Sequence, residues 1–398
     1  MEAALEVESL PDGAGLIHIG MPKTGTTALQ AALNDARPTL ESSGVHNVGR
    51  RRHEMNTALT AAGALPSYWG DKWQRRWTAL AEDFRTSPAR CVLWSSESLS
   101  QAKPDRIQHI ADSLGRDSRV LITLRPLAPL LASQWQEVLR RRGTDPLDVW
   151  LHRHFDSVSV DGTVHTTWTR VMPVLHRFSL RRVVEQWGAV FGEENLIFVV
   201  PPPQDRTLNL RTVERLVGVP QDTLALQHRD NASLPYPEAE MLRHFNRVYT
   251  ERGGDHATWM FTVGGGPGRY LLRQLTDLDP HPIRTPRWAA ERANEHTEAW
   301  IEAVAGSRAT VVGDLADLLV DPAEHPADER APTAVSVESA GRLADVLFQV
   351  ALGYDAPETT TSGPAPAPPK EIGDLPARDL VRELGRRARR RIDPRGRK

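Results

Sequence analysis

Leu16-Ile17-His18-Ile19 is an apolar run that passes directly into Gly20-Met21-Pro22-Lys23-Thr24-Gly25-Thr26-Thr27, and a helix-forming stretch from Ala28 through Leu33 follows. A strand, a two-glycine turn and a helix start in that order constrain the fold of this chain more than any other stretch. The first turn of a helix has unpaired N–H donors and the positive end of the helix dipole, so such a loop gathers backbone donors around an anion. Gly20, Gly25 and the hydroxyl of Thr27 fit the general phosphate loop G-x-x-x-x-G-K-[ST]. The lysine does not fit it: position 26 is Thr, and Lys23 stands two residues before the second glycine. A nucleoside triphosphatase needs its lysine on the β- and γ-phosphates and a hydroxyl on Mg²⁺. The displaced lysine puts its charge elsewhere around the anion. An ordinary strand-to-helix turn explains two glycines, but not Lys23, Thr26 and Thr27 in register behind a strand.

Arg119-Val120-Leu121-Ile122-Thr123-Leu124 reads as a buried strand that ends at Arg125-Pro126. Leu127 to Trp135 reads as a turn entering a helix, with Pro129 in its first turn. An arginine fork suits a pair of phosphate oxygens, and a hydroxyl such as that of Ser133 adds a donor. No apolar strand ends in an Asp placed to hold Mg²⁺. Cys91-Val92-Leu93-Trp94 reads as a further strand leading to Ser95-Ser96-Glu97-Ser98-Leu99. Strand-end polar residues of an open α/β sheet project into the ligand crevice. Glu97 is therefore a candidate general base, or else a cap for the helix that follows. His46 and His53 are alternative bases, having a pKa near working pH. His18 reads as core-lining, and the other histidines lack metal-ligand spacing.

Pro22-Lys23-Thr24-Gly25-Thr26-Thr27 resembles the 5′-phosphosulfate loop, P-K-[ST]-G-T-T, of the PAPS-dependent sulfotransferases and matches it in full. Ala28-Leu29-Gln30 resembles the continuation found in the bacterial and carbohydrate-type branches. The resemblance implies that Pro22, Lys23, Thr24, Gly25, Thr26 and Thr27 hold the phosphosulfate of PAPS. It implies that Lys23 balances charge on the leaving phosphate, and that Arg125 and Ser133, eight residues apart, hold the 3′-phosphate. Glu97, or His53, would take the acceptor proton. PAP would be the product, and no metal would be required. The family usually has Asp before its proline and an arginine mid-motif, whereas this chain has Arg125-Pro126 and Leu130. The "RKGxxGDW" run of the cytosolic enzymes is absent, and Gly264 to Arg269 is glycine-rich without a match around it. Arg229 to Leu234, before a helix through Glu238 to Asn246, is similar to an "N-x-S-L" element of bacterial members. Arg182 to Val200 resembles the family's helix-to-strand passage.

The expected fold is α/β: a P-loop-like parallel sheet flanked by helices on both faces. The expected strands are Leu16–Ile19, Cys91–Trp94, Val120–Leu124 and Leu196–Val200, with a helix over Leu180 to Phe191. Residues 1–14 read as an N-terminal tail and 15–354 as one large domain. Residues 355–398 read as a Pro/Ala-rich linker and a basic, disordered tail with Arg386, Arg387, Arg389, Arg390 and Arg391. That tail could contact an anionic surface. Trp69, Trp73 and Trp77 fall at helical spacing in an expected insertion over the acceptor cleft, where core packing competes with a sugar platform. A net charge of −2 gives no field favouring nucleic acid. One cysteine, no signal pattern and no run of membrane-spanning length point to a cytoplasmic protein. Because glycan members of the resembled family in vertebrates are membrane-anchored, the resemblance then implies a bacterial-type relative. The expected function is sulfuryl transfer to a hydroxyl, less so an amine, of a glycan or natural product. A Mg²⁺-dependent small-molecule kinase and a nucleotide-binding scaffold that docks through its basic tail are the rival readings.

Overall fold

The structure, a computed structural model, describes residues 7–49, 54–65, 71–166, 172–205, 207–226, 233–264 and 281–351. His53, Trp69, Arg229 to Ala232, most of the glycine-rich run and the whole linker and basic tail lie outside them. The chain forms two compact units, Met1–Tyr354 and Asp355–Lys398, and the described residues all fall in the first.

The chain starts with β1 (Ala14–His18), α1 (Thr26–Asp35), α2 (Arg37–Ser42), β2 (Val45–Asn47), α3 (Met55–Ala61) and α4 (Asp71–Thr86). It continues through β3 (Cys91–Ser95), a 3₁₀ turn at Glu97–Gln101, α5 (Pro104–Leu114), β4 (Ser118–Thr123), α6 (Leu127–Leu139), α7 (Leu147–Ser157), α8 (Val174–Phe178) and α9 (Leu180–Phe191). β5 (Leu196–Val200), α10 (Leu208–Val217), α11 (Tyr236–Glu251), a short α12 (His256–Trp259), α13 (Arg287–Ala305), β6 (Thr310–Gly313) and α14 (Val337–Ala351) complete it.

Among the described residues six strands form one sheet in the order β2-β3-β1-β4-β5-β6, and every pairing is parallel. The protein is therefore α/β, with helices on both sides of a parallel sheet. Strand alternation sorts the side chains into two layers. Leu16, Leu93, Leu121, Ile197 and Val199 pack with α1, α2 and α10. Ile17, Trp94, Val120, Ile122 and Phe198 pack with the helices of the opposite face, from α3 through α9 and on to α13. Burial on both faces is why these strands read as unbroken apolar runs.

Two strands, β2 and β6, carry no apolar run in the sequence. They are edge strands of three and four residues, half exposed in part, and pairing with β3 and β5 gives them their conformation. α4 belongs to the packed layer: Trp77, Leu80, Ala81 and Phe84 are buried, and Trp77 stacks on Trp94 at 5.4 Å between ring centroids. Trp77 thus serves the core and is not a sugar platform. Val7 and Leu10 are buried against α10, with Leu10 N donating to Leu216 O at 2.8 Å. Cys91 is fully buried in β3, and burial pushes its thiol up to about 11. No helix among the described residues is long and apolar enough to cross a membrane.

The strand order locates the crevice. The chain leaves β1 for the edge strand β2, returns to β3 beside β1, and then crosses to β4 on the other side. Connections diverge at β1, and in open parallel sheets ligands bind beyond the carboxyl ends of strands at such a switch point. The loop from Ile19 to Gly25 stands there.

Candidate functional site

The loop begins as an extension of the sheet. Ile19 N donates to Leu121 O at 3.0 Å and Met21 N donates to Thr123 O at 3.2 Å, so β4 guides the chain beyond the end of β1. Gly20 has φ 46°, and a Cβ there would stand 2.5 Å from Thr26 Cγ2 and 3.2 Å from His18 Nε2. Only glycine fits. Lys23 has φ 69° and Gly25 φ 88°, with Thr24 between them on the ordinary side. Alternating hands turn successive N–H groups into one concavity, a nest for an anion. A left-handed lysine costs about 1–2 kcal/mol, and such strain gathers at functional loops. Gly25 is the N-cap of α1 and has no side chain to cap with, so the first amides of that helix face the loop unclaimed by a capping side chain. Thr26 is buried, Thr27 is exposed and Pro22 is half-buried.

Beneath the loop runs a line of hydrogen bonds across three strands. Ser95 at the end of β3, His18 at the end of β1 and Thr123 at the end of β4 join at 2.7 and 3.2 Å. Thr24 meets Thr123 at 2.8 Å and Met21 O at 2.6 Å. Stoichiometry orders the protons. Thr24 has one hydroxyl proton, and the Met21 carbonyl can only accept it. Thr123 must then donate to Thr24, which leaves His18 Nε2–H to donate to Thr123. Burial lowers the His18 pKa to about 3 and so keeps the imidazole neutral; with its one proton on Nε2, its Nδ1 accepts from Ser95. The residue read as core-lining is buried, and it also forms the polar floor of the loop.

Lys23 and Arg125 meet on the outer side. Lys23 Nζ donates to Glu137 Oε2 at 3.1 Å, and Arg125 Nη1 donates to Lys23 O at 3.5 Å, at the long limit for a hydrogen bond. Arg125 is exposed where β4 gives way to α6. Ser133 is half-buried on α6, four residues before Glu137 and therefore on the same helix face. Fold contacts thus bring Lys23, Arg125 and the Ser133 face of α6 to one side of the loop. Met21, Thr24 and Arg125 also border a narrow, mostly apolar cleft whose far wall includes Phe178, Leu180 and Trp300.

Glu97 opens the 3₁₀ turn after β3, and Gln30 Nε2 of α1 donates to its Oε2 at 2.7 Å. Ser96 N donates to His18 O at 2.9 Å, which ties that turn to β1. Ser96 stands at the N-cap without a side-chain cap bond, so the Glu97 carboxylate is oriented by α1 and not by the helix it begins. His46 is in the edge strand β2, separated from β1 by β3, and bonds Asp83 of α4 at 3.1 Å. That pairing turns it away from the loop. His53 lies outside the described residues.

Sequence reasoning missed Glu137, Thr123 and Gln30. Helical spacing from Ser133 would have found Glu137, and the strand-end rule would have found Thr123 beside Arg125. Nothing local marks Gln30 as the partner of a residue in a different βα unit. Chemically, the assembly offers an anion the loop amides, a lysine paired with Glu137 and an arginine, with a carboxylate beside α1. No protein-family model, curated protein or solved structure matches the chain.

Proposed function

We propose that the protein is a PAPS-dependent sulfotransferase of the P-loop-like type that sulfates a hydroxyl of a glycan or natural product. The observation that carries this reading is the loop itself: Lys23 and Gly25 in left-handed conformation, Thr26 and Thr27 opening α1, and Arg125 against the carbonyl of Lys23. An anion cradle with a lysine inside it and an arginine at its edge suits a donor with two separate anionic groups.

In this scheme the loop amides with Thr26 and Thr27 bind the 5′-phosphosulfate, and Arg125 with Ser133 binds the 3′-phosphate. Lys23 exchanges Glu137 for the oxygen that bridges sulfur and phosphorus. Glu97 accepts the proton of the acceptor hydroxyl as that oxygen bonds to sulfur. The bond from sulfur to the bridging oxygen breaks in line, and its electron pair leaves with PAP, where Lys23 and the loop amides stabilise it. The sulfuryl group carries less charge than a terminal phosphoryl group, so the scheme asks for no metal.

Thermal unfolding of the full chain with 3′,5′-ADP, and separately with ATP and Mg²⁺, tests the reading. A rise in midpoint with 3′,5′-ADP is expected. Stabilisation by ATP with Mg²⁺ alone would sink it in favour of a kinase.

A further inference from the structure

Two arginines of neighbouring helices are both buried and differently satisfied. Arg182 of α9 is 2% exposed and donates to the carbonyls of Ser100, His176 and Arg177 and to Gln186 Oε1. Its guanidinium is structural, filling carbonyl positions left by neighbouring turns. Arg177 of α8 is 9% exposed, yet its Nε and Nη2 have no hydrogen-bond partner among the described residues. A buried donor without a partner costs about 1–3 kcal/mol, and more on a charged group. The guanidinium also remains charged, because burial lowers its pKa only to about 10.

The surroundings of Arg177 identify what would satisfy it. Its guanidinium lies over the Phe178 ring at 5.0 Å, and Phe178 walls the cleft that Met21, Thr24 and Arg125 border. Arg177 senses the charges of Glu137 and Arg141. Glu137 itself serves Lys23 at 3.1 Å, Arg141 at 3.6 Å and Arg140 at 3.9 Å. One carboxylate is thus shared among Lys23, Arg140 and Arg141, while Arg177, which feels its charge without pairing with it, has two buried N–H groups unmet among the described residues. An oxyanion with several acceptor oxygens answers that pattern, since guanidinium N–H groups make their strongest bonds to carboxylate, sulfate or phosphate.

We propose that Arg177, with Arg141 and Arg140 around Glu137, forms a second oxyanion site beside the loop, and that it takes a carboxylate or sulfate carried by the acceptor. The assignment to the acceptor rests on the sulfotransferase reading; the oxyanion site does not. An acidic group on the acceptor would seat at Arg177 and deliver a neighbouring hydroxyl toward the side of the loop where Lys23 reaches Glu137. The substrate class is then an acidic glycan or an acidic natural product.

Inorganic sulfate is the probe, titrated into the full chain saturated with 3′,5′-ADP, with thermal midpoint as readout. The native protein gains a sulfate-dependent rise, and Arg177→Gln needs about ten- to hundred-fold more sulfate for the same rise. An equal response in both proteins overturns the site. A comparable loss of 3′,5′-ADP affinity in Arg177→Gln overturns the acceptor assignment and makes Arg177 a donor-phosphate ligand. If 3′,5′-ADP binds neither protein while sulfate still separates them, the oxyanion site stands and the donor reading falls. Should Arg177→Gln not fold, Arg141→Gln replaces it at a side chain 66% exposed. There the sulfate requirement rises about two- to fivefold, and an unchanged requirement overturns the site.

Discussion

Glu97 and Lys23 illustrate what a single residue's neighbours decide. Both were legible in the sequence as chemistry-bearing types at strand ends, but their partners were not. Lys23 reaches Glu137 across 114 residues and Glu97 is held by Gln30 across 67, distances at which no local pattern operates. The Gln30 bond orients the carboxylate without neutralising it, as a base requires. Glu97→Gln keeps the size and can still accept from Gln30, so the fold is retained. We expect kcat to fall by about 10²–10⁴ with the donor KM nearly unchanged. Steady-state kinetics with a sulfated product in hand decides it: a variant as fast as the native protein would remove Glu97 from the chemistry.

At the scale of elements, the four central strands were readable because both their faces are buried, which leaves continuous apolar runs in the sequence. β2 and β6 were not readable, since their few residues take strand form from a neighbour and not from their own composition. The β1–α1 loop was readable from its glycine spacing together with Lys23, Thr26 and Thr27 in register behind an apolar strand, yet its two glycines are required for different reasons. At Gly20 a Cβ collides with Thr26 Cγ2 at 2.5 Å, while at Gly25 the nearest atom, Asn209 Nδ2, stands 3.9 Å away. Gly25→Ala therefore meets only the backbone cost of about 1–2 kcal/mol, and Gly20→Ala adds a steric one. Urea unfolding should rank Gly20→Ala as the less stable variant; the reverse order would mean that the loop does not pack as described.

For the molecule as a whole, buried histidines set the response to acid. Burial lowers His18 to about 3 from an ordinary value of 6.5, and it lowers His176 and His296 to about 4. These groups stay neutral in the folded protein while the unfolded chain binds protons below about 6.5. Acid therefore favours unfolding, and stability falls as pH drops from about 6.5 toward 4. His18 alone costs on the order of 1 kcal/mol per pH unit in that window. The urea midpoint is expected to be lower at pH 5 than at pH 7, and an equal or higher midpoint at pH 5 would contradict the neutral, proton-ordered floor under the loop. One further property of the whole chain follows from β3. Its thiol is the only one in 398 residues, and it is sealed between β1 and β2 and held protonated at neutral pH. A cysteine introduced on any exposed helix will therefore react alone with a maleimide dye or spin label. Pairs of such labels can measure distances between α1, α6 and α8 without first engineering out a native background.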